Sequence, residues 1–265
     1  MGRERLREAL RRREPAEPGD GAVVPLVQVH AARLEQMAET LIHMDPEALA
    51  RALRNAQALY GYDAVTLGAS GSAVAAACHI AVGAAAPVTG LRLAAQPVAM
   101  PHLPSPEEVV AASTLGVLRE ALRRLRPVLG PRAGTAVVLP TPARLAEQTG
   151  APLDWAVGVL MEVIRFFGTE EPDLFLAVGP GSRSPLPAIA EFFGSAWVEA
   201  ASTAGVVIVS GASLGVGAVE AIPPGWLFTT DDEIPAGADP RGVAEGLARL
   251  GCAGMPTSAS CGPDE

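Results

Sequence analysis

The chain is predicted to be an α/β protein, a compact (β/α)8 TIM-type barrel of parallel strands. Short runs rich in Val, Ile and Leu alternate with helical stretches along the 265 residues, and eight such runs can be counted. Most connections between them are long enough for the crossover that parallel strands require. A hydrophobic content of 49 % with 18 % charge fits one barrel domain with ample core.

The elements follow in order. A charged helix spans Arg3 to Arg13, and Val23 to Val29 is the first strand. Helical periodicity covers Ala31 to Ile42 and then Glu47 to Tyr60, which starts at the Asp45-Pro46 signal. Asp63 to Leu67 is strand two, Gly71 to Val82 a helix, and Leu91 to Val98 strand three. Ser105 is a good N-cap, with Glu107 and Glu108 in the first turn of a helix reaching Leu129. Thr135 to Leu139 is strand four, Asp154 to Phe167 a helix, Asp173 to Val178 strand five, Pro185 to Thr203 a helix, and Gly205 to Val209 strand six. Gly217 to Ile222 and Trp226 to Thr229 are strands seven and eight, and Asp239 opens the last helix, Pro240 to Leu250. Only Pro223-Pro224-Gly225 separates the last two strands, too little for a parallel crossover. Either the barrel is degenerate around strands six to eight, or the strand count is off there. The barrel domain is expected to occupy 1–250, with 251–265 a disordered tail.

Composition closes several chemistries. All 20 basic residues are arginine, so a Schiff-base lysine, a pyridoxal phosphate anchor and a P-loop are excluded. A net charge of -9 disfavours nucleic-acid and anionic-membrane partners, and no apolar run suggests a leader or a membrane span. Cys78, Cys252 and Cys261 match no disulfide framework or CxxC site, which points to a reducing cytoplasm.

Three stretches then carry a family resemblance: Arg3 to Pro15 followed by Val24-Pro25-Leu26; Tyr62 to Ser70; and Gly225 to Pro235 with Asp239-Pro240 beyond. Pro140-Thr-Pro-Ala-Arg-Leu-Ala146 adds a turn after strand four. Together they resemble the uroporphyrinogen decarboxylase superfamily, which includes corrinoid- and thiol-linked methyltransferases. The resemblance implies homodimers and an active site at the C-terminal mouth of the barrel. It sets Ser70 where the decarboxylases hold an aspartate, and Gln28 to Arg33 against their arginine-bearing segment. The methyltransferase branch implies zinc on His-x-Cys after strand six and a closing cysteine; those positions here are Ser210, Ala212 and Asp232. That set is no zinc site, so neither metal nor organic cofactor is expected.

At the mouth, His30 is the first candidate for proton transfer, because imidazole titrates near neutrality. Gln28, two residues earlier on the expected strand, would share its side and orient a ligand carbonyl. Asp231 and Asp232 are candidates for a base, whereas Glu233 reads as a structural cap. Gly179 to Arg183 and Ser210 to Gly215 are small-residue loops able to cradle an anion, with Arg183 as partner. Thr141 and Arg144 open the fourth crossover, where Arg144 can hold a carboxylate bidentately. His79 beside Cys78 reads as packing, and His43 and His102 as loop residues.

The sequence therefore points to a metal-free, diverged enzyme, a lyase or isomerase working on a small metabolite by proton transfer. Its site would combine His30, Asp231 and Asp232 with Gln28, Ser70, Thr141, Arg144, Arg183 and Ser210. Decarboxylation of a tetrapyrrole or other polycarboxylate, and a noncatalytic binding or scaffold role, are the alternatives.

Overall fold

The structure, a computed structural model, describes residues 2–14, 20–68, 72–83, 88–89, 92–93, 100–181, 184–215 and 224–252. Helix α1 (Gly2–Arg12) leads into strand β1 (Ala22–Val24), followed by α2 (Gln28–Leu34), α3 (Glu39–Ile42) and α4 (Pro46–Tyr60). Strand β2 (Ala64–Leu67) and α5 (Ser72–Ala81) precede a small antiparallel pair, β3 (Val88–Thr89) and β4 (Arg92–Leu93). Then come α6 (Pro106–Val110), α7 (Ser113–Leu129), β5 (Gly134–Pro140), α8 (Pro142–Thr149), α9 (Leu153–Gly168) and β6 (Leu174–Val178). The chain continues through α10 (Leu186–Phe192), β7 (Ala196–Glu199), β8 (Val206–Val209), α11 (Gly211–Gly215), β9 (Leu227–Thr230) and α12 (Pro240–Arg249).

Seven of the described strands form two parallel sheets, ordered β1-β9-β8 and β2-β5-β6-β7. The sheets meet between β1 and β2. Asp63 donates its N–H to the Val23 carbonyl at 2.9 Å, and Thr66 Oγ1 donates to the Pro25 carbonyl at 2.8 Å. Both contacts advance along the two chains together, so β1 and β2 run the same way and all seven strands end on one side.

Alternation sorts the strand residues into two cores. Ala22, Val24, Ala64, Ala136, Val138, Leu174, Leu176, Val198 and Leu227, drawn from both sheets, share one cluster with Leu6 of α1. Their neighbours Val23, Val65, Leu67, Val137, Leu139, Phe175, Trp197 and Phe228 pack instead against the helices. Strands buried on both faces are the mark of a helix-covered parallel sheet.

Four expectations from the sequence change. The first strand stops at Val24, because the Leu26 backbone is taken up by Thr230 Oγ1 at 3.0 Å and the Ile234 N–H at 2.8 Å. The helix expected from Ala31 begins at Gln28, where Glu233 Oε2 accepts the Val29 N–H at 3.3 Å, a carboxylate placed at the positive end of a helix. The helix expected over 185–203 ends at Phe192; Gly194, with φ +73°, turns the chain, and Ala196–Glu199 pairs in parallel with Leu174–Ala177 as β7. The expected 105–129 helix breaks at Ala111–Ala112, for which nothing in the local sequence accounts.

The strand count is thereby corrected. The run 217–222 lies outside the described residues, and β9 pairs directly with β8, so no strand separates them. Their crossover uses residues 210–226, which removes the short-connection difficulty. The expected third strand contributes only Arg92–Leu93 to a described element, and β2 pairs directly with β5. Order extends past Leu250: Cys252 is buried, and Gly251 accepts from Arg5 Nη1 at 2.9 Å. The expected tail beyond it lies outside the described residues. No helix among the described residues is long and apolar enough to cross a membrane.

Helix α1 covers the N-terminal ends of the strands. Arg5 Nη2 lies 2.6 Å from Asp63 Oδ2, an oxygen that also accepts the Val23 N–H at 2.8 Å, while Arg3 and Arg7 both hold Asp173. Burial raises the Asp63 pKa, opposed by the Arg5 guanidinium and the Val23 amide. Asp63→Ala should therefore cost about 3 kcal/mol in urea unfolding, since it strands a buried N–H and a half-buried guanidinium.

Candidate functional site

The C-terminal strand ends place the expected residues in three groups. The first follows β1. Gln28 and His30 lie on α2, where two positions are about 200° apart around the axis, so they do not share a side as a strand would require. Gln28 Oε1 accepts the Gly68 N–H at 3.1 Å and ties the end of β2 to the start of α2. His30 is 1 % exposed, with Nε2 2.7 Å from the Tyr60 hydroxyl and the rings stacked at 5.8 Å. Burial lowers its pKa, partly offset by the Pro235 carbonyl, so the imidazole is neutral near pH 7. It borders an open cleft of about 560 Å³ with Arg33, Gln36 and Asp239, between α2 and the loop that leads into α12.

The second group follows β8 and β9. Asp231 is exposed, and its Oδ1 accepts the Gly211 N–H at 2.9 Å, clasping the two strand ends together. Asp232 Oδ1 accepts the Glu233 N–H at 2.8 Å. Ser210 Oγ accepts the Ser213 N–H at 3.4 Å at the start of α11. These oxygens hold backbone, and Glu233, expected to cap the turns that lead to the last helix, instead accepts the Val29 N–H at the start of α2.

The third group follows β5, β6 and β7. Thr141 is buried and caps α8, accepting the Arg144 N–H at 3.3 Å. Gly179 has φ +127°, and a Cβ there would fall 2.8 Å from both Arg144 Cβ and Thr141 Oγ1, so the loop after β6 passes directly over these two residues. Arg144 is half-buried, and its guanidinium has no hydrogen-bond or ion-pair partner among the described residues. On the far side of the same loop, a Cβ at Gly181 would lie 3.1 Å from Glu199 Oε2, which accepts from Ser202 Oγ at 2.9 Å. Glu199 is the residue that sequence reasoning missed, because 185–203 reads as helix; the Trp197-Val198 pair ahead of it was the available strand signal. Ser70 and Arg183 lie outside the described residues.

The donors expected of a zinc centre do not fit. Ser210, Ala212 and Asp232 offer neither imidazole nor thiolate, and the described residues contain no cluster of three metal-ligating side chains. Cys78 and Cys252 are buried elsewhere, with burial pushing each thiol up to about 12.

No protein-family model matches the chain, and no curated protein matches it by sequence. Among solved structures, a methyltransferase from Methanosarcina mazei resembles it with a TM-score of 0.60, covering 94 % of this chain and 98 % of that one at 15 % identity. The likeness is one of fold.

His30, His43 and His79 all have pKa values lowered by burial, and both ring nitrogens of the fully buried His79 have no hydrogen-bond partner among the described residues. The unfolded chain takes up protons near pH 6.5 that the fold refuses, so this stability is present above that pH and is lost as the pH falls through the lower folded values. Urea midpoints should drop between pH 7 and pH 5, and His79→Leu should flatten the slope without destabilising the protein at pH 7.5.

Proposed function

We propose that the two sheets close into a single barrel of the uroporphyrinogen decarboxylase-like superfamily, acting as a lyase or isomerase on a small anionic metabolite bound over β5, β6 and β7. The observation that carries this reading is Arg144, half-buried under the Gly179 loop and without a hydrogen-bond or ion-pair partner for its guanidinium among the described residues. A partly desolvated guanidinium without a counter-ion is a carboxylate or phosphate site in waiting, and its fork binds either bidentately. Glu199 across the loop is the group within the same mouth that can accept and return a proton. A role for His30 in proton transfer would require the imidazole to leave Tyr60 or relay through it. The fold likeness to the Methanosarcina mazei methyltransferase supports the architecture, whereas Ser210, Ala212 and Asp232 offer neither imidazole nor thiolate for zinc-linked methyl transfer. A reducing cytoplasm fits the two buried free thiols, and a homodimer remains what the family resemblance implies.

One observation favours a second reading. The carboxylates after β9 are spent on backbone amides, as in a binding protein that keeps the scaffold without turnover. Calorimetric titration with small mono- and dicarboxylates, followed by NMR of the same mixtures, separates the two. The enzyme reading predicts a ligand whose affinity falls at least about tenfold in Arg144→Gln and whose conversion stops in Glu199→Gln. Binding without conversion selects the second reading, and no binding of any member that depends on Arg144 overturns both.

A further inference from the structure

Two side chains of opposite charge lie against one short loop, Gly179-Pro180-Gly181. A Cβ on Gly179 would fall 2.8 Å from Arg144 Cβ and 2.9 Å from Arg144 Cδ, and one on Gly181 would fall 2.9 Å from Ser202 Oγ and 3.1 Å from Glu199 Oε2. The ends of a three-residue loop are at most about 7 Å apart. Arg144 and Glu199, both half-buried, are therefore brought to the two ends of the same short span, yet they do not pair with each other.

Each charge is only partly used. The Arg144 guanidinium has no hydrogen-bond or ion-pair partner among the described residues. Glu199 Oε2 accepts from Ser202 Oγ at 2.9 Å, which fixes the carboxylate, and Oε1 has no partner among the described residues. Opposite charges that stand apart, each partly withdrawn from water, carry a desolvation cost that their mutual attraction does not return. A ligand with the inverse pattern, a carboxylate towards Arg144 and a hydrogen-bond donor towards Glu199, offsets both. A second anionic group would find no donor at Pro180, which has no N–H, and would meet the Glu199 carboxylate instead.

Building on the anion site at Arg144, we propose that the ligand is a short acid, about three or four carbons long to match the loop, with an ammonium or a hydroxyl at its other end. Glu199 is the specificity-determining residue: its carboxylate admits the donor and turns dicarboxylates away. The ammonium and hydroxyl forms share this chemistry, and an ammonium would also balance the two charges of the site.

The test is calorimetric titration of the full chain near pH 7 with γ-aminobutyrate, γ-hydroxybutyrate and succinate, and with the shorter set β-alanine, β-hydroxypropionate and malonate. Within each set the carboxylate and the chain length are constant and only the far end changes. At least one amino or hydroxy acid should bind with a Kd below about 10 mM, at least about tenfold tighter than the diacid of its length, and lose that binding in Arg144→Gln. Glu199→Gln keeps the shape and removes the charge; it should shrink the preference to under about threefold, with circular dichroism checking the fold. The ammonium and hydroxyl arms identify the donor. A diacid that binds through Arg144 within tenfold of the best amino or hydroxy acid overturns the assignment and leaves the anion site standing, as does a preference unchanged in Glu199→Gln. No Arg144-dependent binding of any of the six overturns the anion site and this assignment together.

Discussion

Asp63 is the residue on which the rest of the molecule hangs. Its carboxylate holds Arg5 of α1 and the Val23 amide of β1, while its own N–H reaches the Val23 carbonyl and its carbonyl accepts the Gly134 N–H of β5. One residue, through its side chain and both of its backbone polar groups, thus joins the N-terminal helix, the edge of one sheet and two strands of the other. Burial alone would press this carboxyl towards its neutral form, and the Arg5 guanidinium and Val23 amide oppose that. The interior can then be filled with small aliphatic side chains, because the polar work of aligning the sheets is done at their ends.

The two ends of the strands divide their labour. At the N-terminal end, Asp63 and Asp173 are saturated by arginines of α1, as expected of the face that confers stability in such folds. At the C-terminal end, Asp231, Asp232 and Glu233 are engaged with backbone amides, whereas Arg144 has no partner among the described residues and Glu199 has only Ser202. The proposed chemistry follows the groups left uncommitted among the described residues. The same criterion moves attention away from His30, which is conspicuous in sequence but is already bonded to Tyr60, and towards the loop between Gly179 and Gly181.

Local start signals were well legible. Asp45-Pro46, Ser105-Pro106 and Asp239-Pro240 each cap the helix expected of them, with the capping box at Ser105 and Glu108 complete. The alternation of strands and helices carried the α/β class with parallel strands. What failed was the competition between short segments. Ala196–Glu199 is a four-residue strand directly behind a helical pattern, and only its register against β6 makes it one. Reading it as helix left Ala196–Glu199 out of the strand count and hid Glu199. Similarly, Val27-Gln28-Val29 has strand composition, but Thr230, Ile234 and Glu233, all distant in sequence, end the strand and start a helix. Thr141 and Arg144 were legible because a helix start at a strand end fixes a side chain's place with few assumptions.

The central claim is that the ends of β8 and β9 hold backbone while ligand chemistry belongs to Arg144 without zinc. Native mass spectrometry of the purified chain, paired with metal analysis, tests it most directly. The account predicts a protein without stoichiometric zinc that retains or takes up a small anion, with that adduct lost in Arg144→Gln. One zinc per chain, released by Asp232→Asn and indifferent to Arg144→Gln, would contradict it.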